Sequence, residues 1–183
     1  MRIRQPHIPY VSNKISLDLL NSNFIKLVNG LEPTKEVIAK IITALVLKEK
    51  SLDEKVNEIL AEQENQMDLM QVDRKNMFWL LKKKLADEYK IQMNYEDRYN
   101  ALSHAILDAL VDEDLINFNV SENRVKNVIY SSMIEYLKTY EDIEDLVYDK
   151  ISNYKRKIIP GSEEYDLIYE KLYEEELKKR KML

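Results

Sequence analysis

The chain of 183 residues contains only two glycines, Gly30 and Gly161, and four prolines. Glycine and proline make tight turns and irregular loops, so a chain with so few of them favours helices over sheets. The same scarcity excludes the phosphate-binding loops of nucleotide enzymes, because both GxGxxG and GxxxxGK[ST] need closely spaced glycines. We therefore predict an all-α protein outside those enzyme classes.

The composition also restricts the chemistry and the compartment. Hydrophobic residues make up 45% of the chain, which is enough for a packed core, and cysteine is absent. Without cysteine there are no disulfides, no thiolate nucleophile and no cysteine-based zinc or iron–sulfur site. The stretch MRIRQPHIPYVSNK lacks an apolar signal core, and no apolar run approaches the about 20 residues of a membrane helix. We expect a cytoplasmic protein with no membrane partner.

Helix-start signals divide the first half of the chain into four predicted helices. Ser12 is the candidate N-cap of the first, and Gly30 makes the turn before the second. Ser51 and Glu54 have the spacing of a capping box, which predicts the start of a third helix. Asp73 is the candidate cap of the fourth. Between these signals, apolar residues recur at helical spacing.

The second half of the chain repeats the apolar pattern of the first at an offset of 91 residues, without a gap. Identities are few, so the signal is the agreement of apolar positions and helix starts. The matched pairs include Ser12 with Ser103, Ile15 with Ile106, Leu19 with Leu110, Ile25 with Ile116, Ile38 with Ile129 and Val56 with Val147. This pattern predicts an internal duplication. We expect two related units of about four helices each, residues 1–91 and residues 92–183.

The two halves differ in charge. Residues 1–91 carry 15 Lys and Arg against 13 Asp and Glu, whereas residues 92–183 carry 13 against 20. Opposite signs favour either docking of the halves on each other or binding of different partners. Both outcomes are compatible with the sequence.

Three tyrosines, Tyr165, Tyr169 and Tyr173, form one stripe of a predicted carboxy-terminal helix, together with Ile168 and Leu172. Acidic residues in the first turn and basic residues in the last turn suit the helix dipole. Tyrosine is favoured where a ring packs and its hydroxyl reaches water or a partner. The stripe is typical of a terminal helix that closes its own bundle, and a face offered to another protein is the alternative.

The same carboxy-terminal stretch, IPGSEEYDLIYEKLYEEELKKRK, preceded by YEDIEDLVYDKISNYKRK, resembles the end of a bacterial family known as the domain of unknown function number five hundred and seven. Members of that family are similar to residues 99–181. The opening MRIRQPHIPYVSNKI resembles longer members that carry two units. The resemblance implies a two-unit form and brings no activity, cofactor or functional residue. In the first half, LMQVDRK replaces the Pro-Gly-Ser break, so that half resembles the family in its helix pattern only.

The only tryptophan, Trp79, lies in the lysine-rich stretch DRKNMFWLLKKKLADEYK. Helical spacing places it nearly opposite the apolar stripe, beside Lys75, Lys82 and Lys83. Such a residue commonly packs against another part of its own chain, with lysines extending around it. It can also anchor a protein partner, or stack a nucleobase while the ammonium groups bind phosphates. The net charge of −5 counts against nucleic acid.

No catalytic or metal-binding constellation stands out. His7 and His104 are far apart in the chain, and neither lies in a recognisable catalytic motif. Glu141, Asp145 and Asp149 recur every four residues, but a hard cation needs oxygen ligands from more than one segment. A solvated acidic face is the favoured interpretation. We predict no catalytic residue, no cofactor and no metal.

These observations favour a non-catalytic cytoplasmic adaptor or assembly factor that binds another protein through its helical faces. The candidate interaction residues are Trp79, Lys75, Lys82, Lys83, Tyr165, Tyr169 and Tyr173. The alternative is a nucleic-acid-associated protein that uses the lysines around Trp79, with Lys84 added. An enzyme ranks third, because it needs a constellation that the sequence does not display.

Overall fold

The structure, a computed structural model, describes residues 3–63, 73–154, 158 and 163–180. These residues form six α-helices, one short two-stranded sheet and a 3₁₀ turn at Gln5–His7. In chain order the elements are α1 (Ile8–Asn21), β1 (Ile25–Leu27), α2 (Leu31–Glu62), α3 (Arg74–Leu85), α4 (Tyr95–Asp112), β2 (Ile116–Phe118), α5 (Glu122–Ser152) and α6 (Glu163–Lys179). The prediction of an all-α protein is confirmed, since each strand has only three residues.

The helices number six among the described residues, against about eight predicted, and in the first half of the chain this is because α2 continues through the expected start of a third helix. Ser51 and Glu54 lie inside α2, so the prediction of a capping box there is wrong. The polar residues just before them resemble a break, but Glu49 is buried and its carboxylate binds the Arg98 guanidinium at 2.7 Å. A buried carboxylate is tolerated when a cation neutralises it, so Glu49 can lie on the buried side of α2 and the helix continues past it.

The predicted cap at Ser12 is also wrong, whereas the one at Asp73 is confirmed. Helix α1 begins at Ile8, with Pro9 in its first turn, where the missing N–H of proline costs no hydrogen bond. Ser12 is fully buried within α1, and its hydroxyl donates to the Ile8 carbonyl at 2.8 Å. Before α3, the Asp73 carboxylate accepts the Lys75 backbone N–H at 3.0 Å.

The two short strands form an antiparallel ribbon that the sequence analysis did not predict. The register pairs Ile25 with Phe118, Lys26 with Asn117 and Leu27 with Ile116. Alternate residues of a strand point to opposite faces. Accordingly Ile25, Leu27 and Ile116 are buried on the inner face, while Lys26 and Asn117 are exposed at the centre of the outer face.

By its contacts the chain divides into two compact units, Arg2–Met133 and Ile134–Leu183. The boundary falls inside α5, which is one continuous helix. The predicted units, residues 1–91 and 92–183, were inferred from a sequence repeat. A division by contacts does not test a repeat, so that duplication stays a prediction.

The larger unit is built around the apolar stripes of its long helices. Its fully buried side chains include Val11, Ile15, Leu19, Ile38, Ile42, Ile106 and Leu110. A second cluster joins the carboxy-terminal half of α2 to α3. There Leu52, Val56 and Leu60 are buried, and Met77, Phe78, Leu81 and Leu85 pack partly buried against them. This contact fixes which side of α3 faces the solvent.

Candidate functional site

Helix α3 turns its only tryptophan outward. Because Phe78, Leu81 and Leu85 pack toward α2, Trp79 lies on the other side of the helix and is 51% exposed. The next residue, Leu80, is 57% exposed. The Trp79 and Phe78 rings form a T-shaped pair with a centroid distance of 5.7 Å. About half of a large aromatic side chain is therefore available to a partner.

Lys82 does not belong to the exposed face on which the sequence placed it. Its side chain is only 11% exposed, and its ammonium nitrogen lies 2.5 Å from a carboxylate oxygen of Asp53 on α2. The same ammonium group lies 5.5 Å from the Trp79 ring centroid and 5.8 Å from that of Phe78. These contacts tie α3 to α2 and steady the tryptophan ring. Lys82 therefore lies beside Trp79, but Asp53 holds its charge and it adds little to the exposed surface.

The remaining candidates of this helix form a coherent surface. Lys75 and Lys83 lie four residues before and after Trp79, and Lys84 lies four residues after Leu80, so each apolar side chain has a lysine neighbour on the helix surface. All three lysines are exposed. We call this surface the α3 outer face, defined by Lys75, Trp79, Leu80, Lys83 and Lys84. It combines apolar area with positive charge.

The tyrosine stripe of α6 packs against α5. Tyr165, Tyr169 and Tyr173 are half-buried and stack on one another, with ring centroids 6.4 Å and then 5.7 Å apart. Tyr148 of α5 lies 5.5 Å from the Tyr169 ring, and Tyr140 of α5 lies 6.1 Å from the Tyr173 ring. Aromatic pairs at such distances are favourable. The stripe therefore contributes to the core of the smaller unit, as expected of a helix that closes its own bundle.

A charged cluster holds the end of α6. The Glu176 carboxylate accepts hydrogen bonds from the ammonium groups of Lys150 on α5 and of Lys179, the latter at 2.7 Å. These two bonds lower the pKa of Glu176 to about 2. The Glu174 carboxylate and the Lys178 ammonium form an exposed pair at 3.5 Å. Glu176 itself is buried, on the inner side of the helix.

The other polar candidates form no site. Asp145 and Asp149 are exposed on α5, and no group of three or more His, Asp or Glu side chains within the described ranges is arranged to hold a metal ion. His7 is buried, and burial together with the nearby Arg4 lowers its pKa to about 4. His104 is exposed on α4.

The outer face of the ribbon is a feature that the sequence analysis missed. A concavity of about 370 Å³ opens there, lined by Asn23, Phe24, Ile25, Lys26, Asn117, Phe118 and Asn119. The guanidinium of Arg124, in the first turn of α5, lies over the Phe24 ring at 4.4 Å from its centroid. The sequence signal that could have revealed it is the pair of segments NSNF and INFN, which follow α1 and α4.

No helix within the described residues is both long enough and apolar enough to cross a membrane. No curated protein matches the chain. A family model described as protein of unknown function (DUF507) matches residues 1–182. Because the match covers nearly the whole length, the chain belongs to this family.

Proposed function

We propose that this protein is a non-catalytic adaptor of the bacterial cytoplasm, which binds an acidic, partly apolar segment of another protein through the α3 outer face. The observation that carries the proposal is the exposure of Trp79 beside Leu80 on a helix whose opposite side is packed. Tryptophan is a favoured anchor at protein interfaces because a single side chain buries a large apolar surface area. Burying a large apolar side chain contributes about 1.5–3 kcal/mol.

Charge indicates the kind of partner. Lys75, Lys83 and Lys84 bracket the two apolar side chains and are exposed, so a partner with carboxylates around an apolar anchor complements the α3 outer face. Such rim charges mainly raise the association rate and select the partner. The area of contact supplies most of the binding free energy.

A nucleic-acid partner at this face is the alternative, and one observation places it second. The nucleic-acid hypothesis uses four lysines around Trp79, but Lys82 is buried against Asp53. Each phosphate contact that is lost weakens binding and reduces its dependence on salt.

We also propose that the chain arose by internal duplication. In support, β1 and β2 begin 91 residues apart, at Ile25 and Ile116, and so do α2 and α5, at Leu31 and Glu122. Lys26 and Asn117, which face each other at the centre of the ribbon, are counterparts at the same offset. In an experimental structure residues 8–62 should superpose on residues 99–153, helix on helix and strand on strand. A mismatch in element order or direction would refute the duplication.

The adaptor proposal is tested by capture of partners from a nuclease-treated lysate of the native host, with the full-length tagged protein as bait. Trp79→Ala should reduce the captured partner at least about tenfold, because truncation of an anchor residue costs about 2 kcal/mol or more. A charge-reversed variant, Lys83→Glu with Lys84→Glu, should also lose it. Leu47→Ala is the matched control, since Leu47 is 50% exposed on a different helix, α2.

The thermal midpoint of each variant separates binding from folding. Trp79→Ala should leave the midpoint nearly unchanged, because half of the side chain is exposed. A large drop in stability, or capture that is equal for Trp79→Ala and Leu47→Ala, would contradict the proposal. A parallel capture from an untreated lysate completes the test, because a partner that is captured there but not from the nuclease-treated lysate would move nucleic acid into first place.

A further inference from the structure

We infer that the outer face of the β1–β2 ribbon binds a short stretch of single-stranded nucleic acid. This site is distinct from the α3 outer face in both elements and chemistry, and does not depend on the proposed adaptor function. The side chains that carry it are Phe24, Lys26, Asn117, Asn119 and Arg124.

The ribbon is a rigid support for these side chains. Its inner residues Ile25, Leu27 and Ile116 are each at most 8% exposed, so both strands are held against the core. The Val28 backbone N–H donates to the Leu115 carbonyl at 2.9 Å, which extends the pairing beyond the strand ends. Because the strands are held against the core, the backbone positions that carry the outer side chains are set before a ligand arrives, and this reduces the entropic cost of binding.

The Phe24 ring, which lines the concavity, and the guanidinium of the neighbouring Arg124 form a stacking platform. The Arg124 guanidinium lies 4.4 Å from the centroid of the Phe24 ring, and Phe24 itself is only half-buried. Nucleobases stack on both aromatic rings and guanidinium groups, whatever the base. The arrangement therefore suits a planar, unpaired base.

Amides and a lysine occupy the rest of the surface. Asn117 and Asn119 are exposed on β2 and just beyond it, and Asn23 precedes β1. An asparagine amide offers a donor and an acceptor together, which matches the polar edge of a base. The Lys26 ammonium is exposed beside Asn117 and can neutralise a backbone phosphate. Residues 22–30 and 115–126 include three cationic side chains and a single acid, Glu122, and the acids Asp112, Glu113 and Asp114 lie before β2 at the end of α4.

The shape of the site favours a polymer over a small molecule. The concavity lies on the face of the ribbon and is largely open to solvent, so it cannot enclose a ligand as an enzyme cleft does. A chain can instead cross it and place one or two nucleotides against the platform. A peptide that extends a sheet would bind the edge of a strand through its backbone, whereas the polar and aromatic groups here lie on the face.

The test is fluorescence anisotropy with the full-length protein and labelled single-stranded oligonucleotides of about twelve residues, in RNA and DNA versions of mixed sequence. Lys26→Glu and Arg124→Gln should each weaken binding about tenfold. Phe24→Leu keeps the apolar volume but removes the ring, and should weaken binding by a similar factor. With two phosphates neutralised, raising the salt from about 50 to about 200 mM should weaken binding about sevenfold.

Two controls keep the outcome decisive. Lys83→Glu lies on the α3 outer face and should leave the affinity for the oligonucleotide unchanged. Heparin, a polyanion without bases, should bind more weakly and should not distinguish Phe24→Leu from the wild type. Circular dichroism confirms that each variant is folded, and Asn117→Ala, at an exposed position, should also weaken binding with little risk to folding.

Three results would overturn the inference. The first is no binding of either oligonucleotide at about 100 µM protein, a concentration at which even non-specific binding is detected. The second is loss of binding in Lys83→Glu with no effect of Lys26→Glu, which would assign nucleic acid to α3. The third is equal binding of heparin and oligonucleotide by both the wild type and Phe24→Leu, which would reduce the site to a charge effect. A preference between RNA and DNA would identify the natural ligand. Since the adaptor test uses nuclease-treated lysate and α3 variants, either proposal can fail without the other.

Discussion

His7 is buried at the start of α1, beside Arg4, and its pKa is lowered to about 4. Histidine in the unfolded chain titrates near pH 6.5, so between these two values the unfolded state binds a proton and the native state does not. The contribution of neutral His7 to stability is therefore complete above pH 6.5 and declines as the pH falls toward 4. Urea unfolding should show that the free energy of unfolding is about 1 kcal/mol lower at about pH 5.5 than at about pH 7.5.

The two histidines of the chain provide the control for this prediction. His7→Gln should remove most of the difference between the two pH values, because no neutral imidazole is then buried. His104→Gln should keep it, since His104 is exposed on α4. If the wild type unfolds at the same urea concentration at both pH values, burial of His7 is not linked to its protonation.

Asp114, two residues beyond the end of α4, has a positive φ of 53°. The Leu115 backbone N–H donates to the Leu110 carbonyl at 2.9 Å, which closes the helix in the arrangement that usually takes glycine. Asp114→Gly should raise the free energy of unfolding by about 0.5–1 kcal/mol, because the left-handed conformation costs an aspartate more than a glycine. Glu113→Gly, at a φ of −91°, should lower it. Thermal melts of the two variants check the prediction, and shifts of the same sign would contradict it.

Among the elements, α3 is held to α2 by the pair of Lys82 and Asp53 as well as by apolar contacts. Asp53→Ala leaves a mostly buried ammonium unpaired and should destabilise the protein by about 2 kcal/mol. Adding Lys82→Met should recover much of this loss, because the buried charge is then gone. The exposed pair of Lys55 and Glu58 is the matched comparison, where Glu58→Ala should cost less than about 0.5 kcal/mol. A double-mutant cycle on each pair measures its contribution to the free energy of unfolding. Equal contributions from the two pairs would contradict the structural role of Lys82.

Helix α6 should respond to acid through Glu176. Its pKa is lowered to about 2 by Lys150 and Lys179, so the contribution of its carboxylate is complete above an ordinary glutamate pKa and is lost as the pH falls toward 2. The near-ultraviolet circular dichroism of the stacked tyrosines should therefore decline over this acid range. Glu176→Gln should lower the signal already at neutral pH and flatten its acid dependence. Glu174→Gln, in an exposed pair, should behave as the wild type, and an identical acid profile for all three proteins would exclude this role.

For the molecule as a whole, the two compact units should differ in local stability. Among the described residues, Arg2–Met133 contains 25 buried apolar side chains and Ile134–Leu183 contains eight. A unit with less buried apolar area opens at a lower free energy. Hydrogen exchange followed by mass spectrometry should show faster exchange in α6 than in α1 or α4. Within α5, residues 134–152 should exchange faster than residues 122–133, and uniform protection along α5 would contradict the prediction.

Much of this protein follows from local properties of the sequence. Two glycines in 183 residues and apolar residues at helical spacing predict an all-helical chain, because turn chemistry and amphipathic periodicity are read within a few residues. Asp73 was recognised as a cap for the same reason, since its bond to Lys75 spans two residues. The same reasoning wrongly predicted a helix start at Ser51. Glu49 interrupts the apolar spacing there, but it is buried and paired with Arg98, which lies far along the chain.

The burial of individual side chains and the exposure of helix and strand faces depend on residues that are distant in sequence. The burial of Lys82 requires Asp53 on another helix, and the α3 outer face exists because α3 packs its other side on α2. The ribbon pairs segments 91 residues apart, so its outer face and the stack of Arg124 on Phe24 arise only when these segments meet. Helix formation is governed by near neighbours, whereas the exposure of a side chain is set by whatever else packs around it. The sequence by itself therefore determined the helical class of this protein and the stretches that become helices, and only the tertiary structure decided which of their faces remain open to partners.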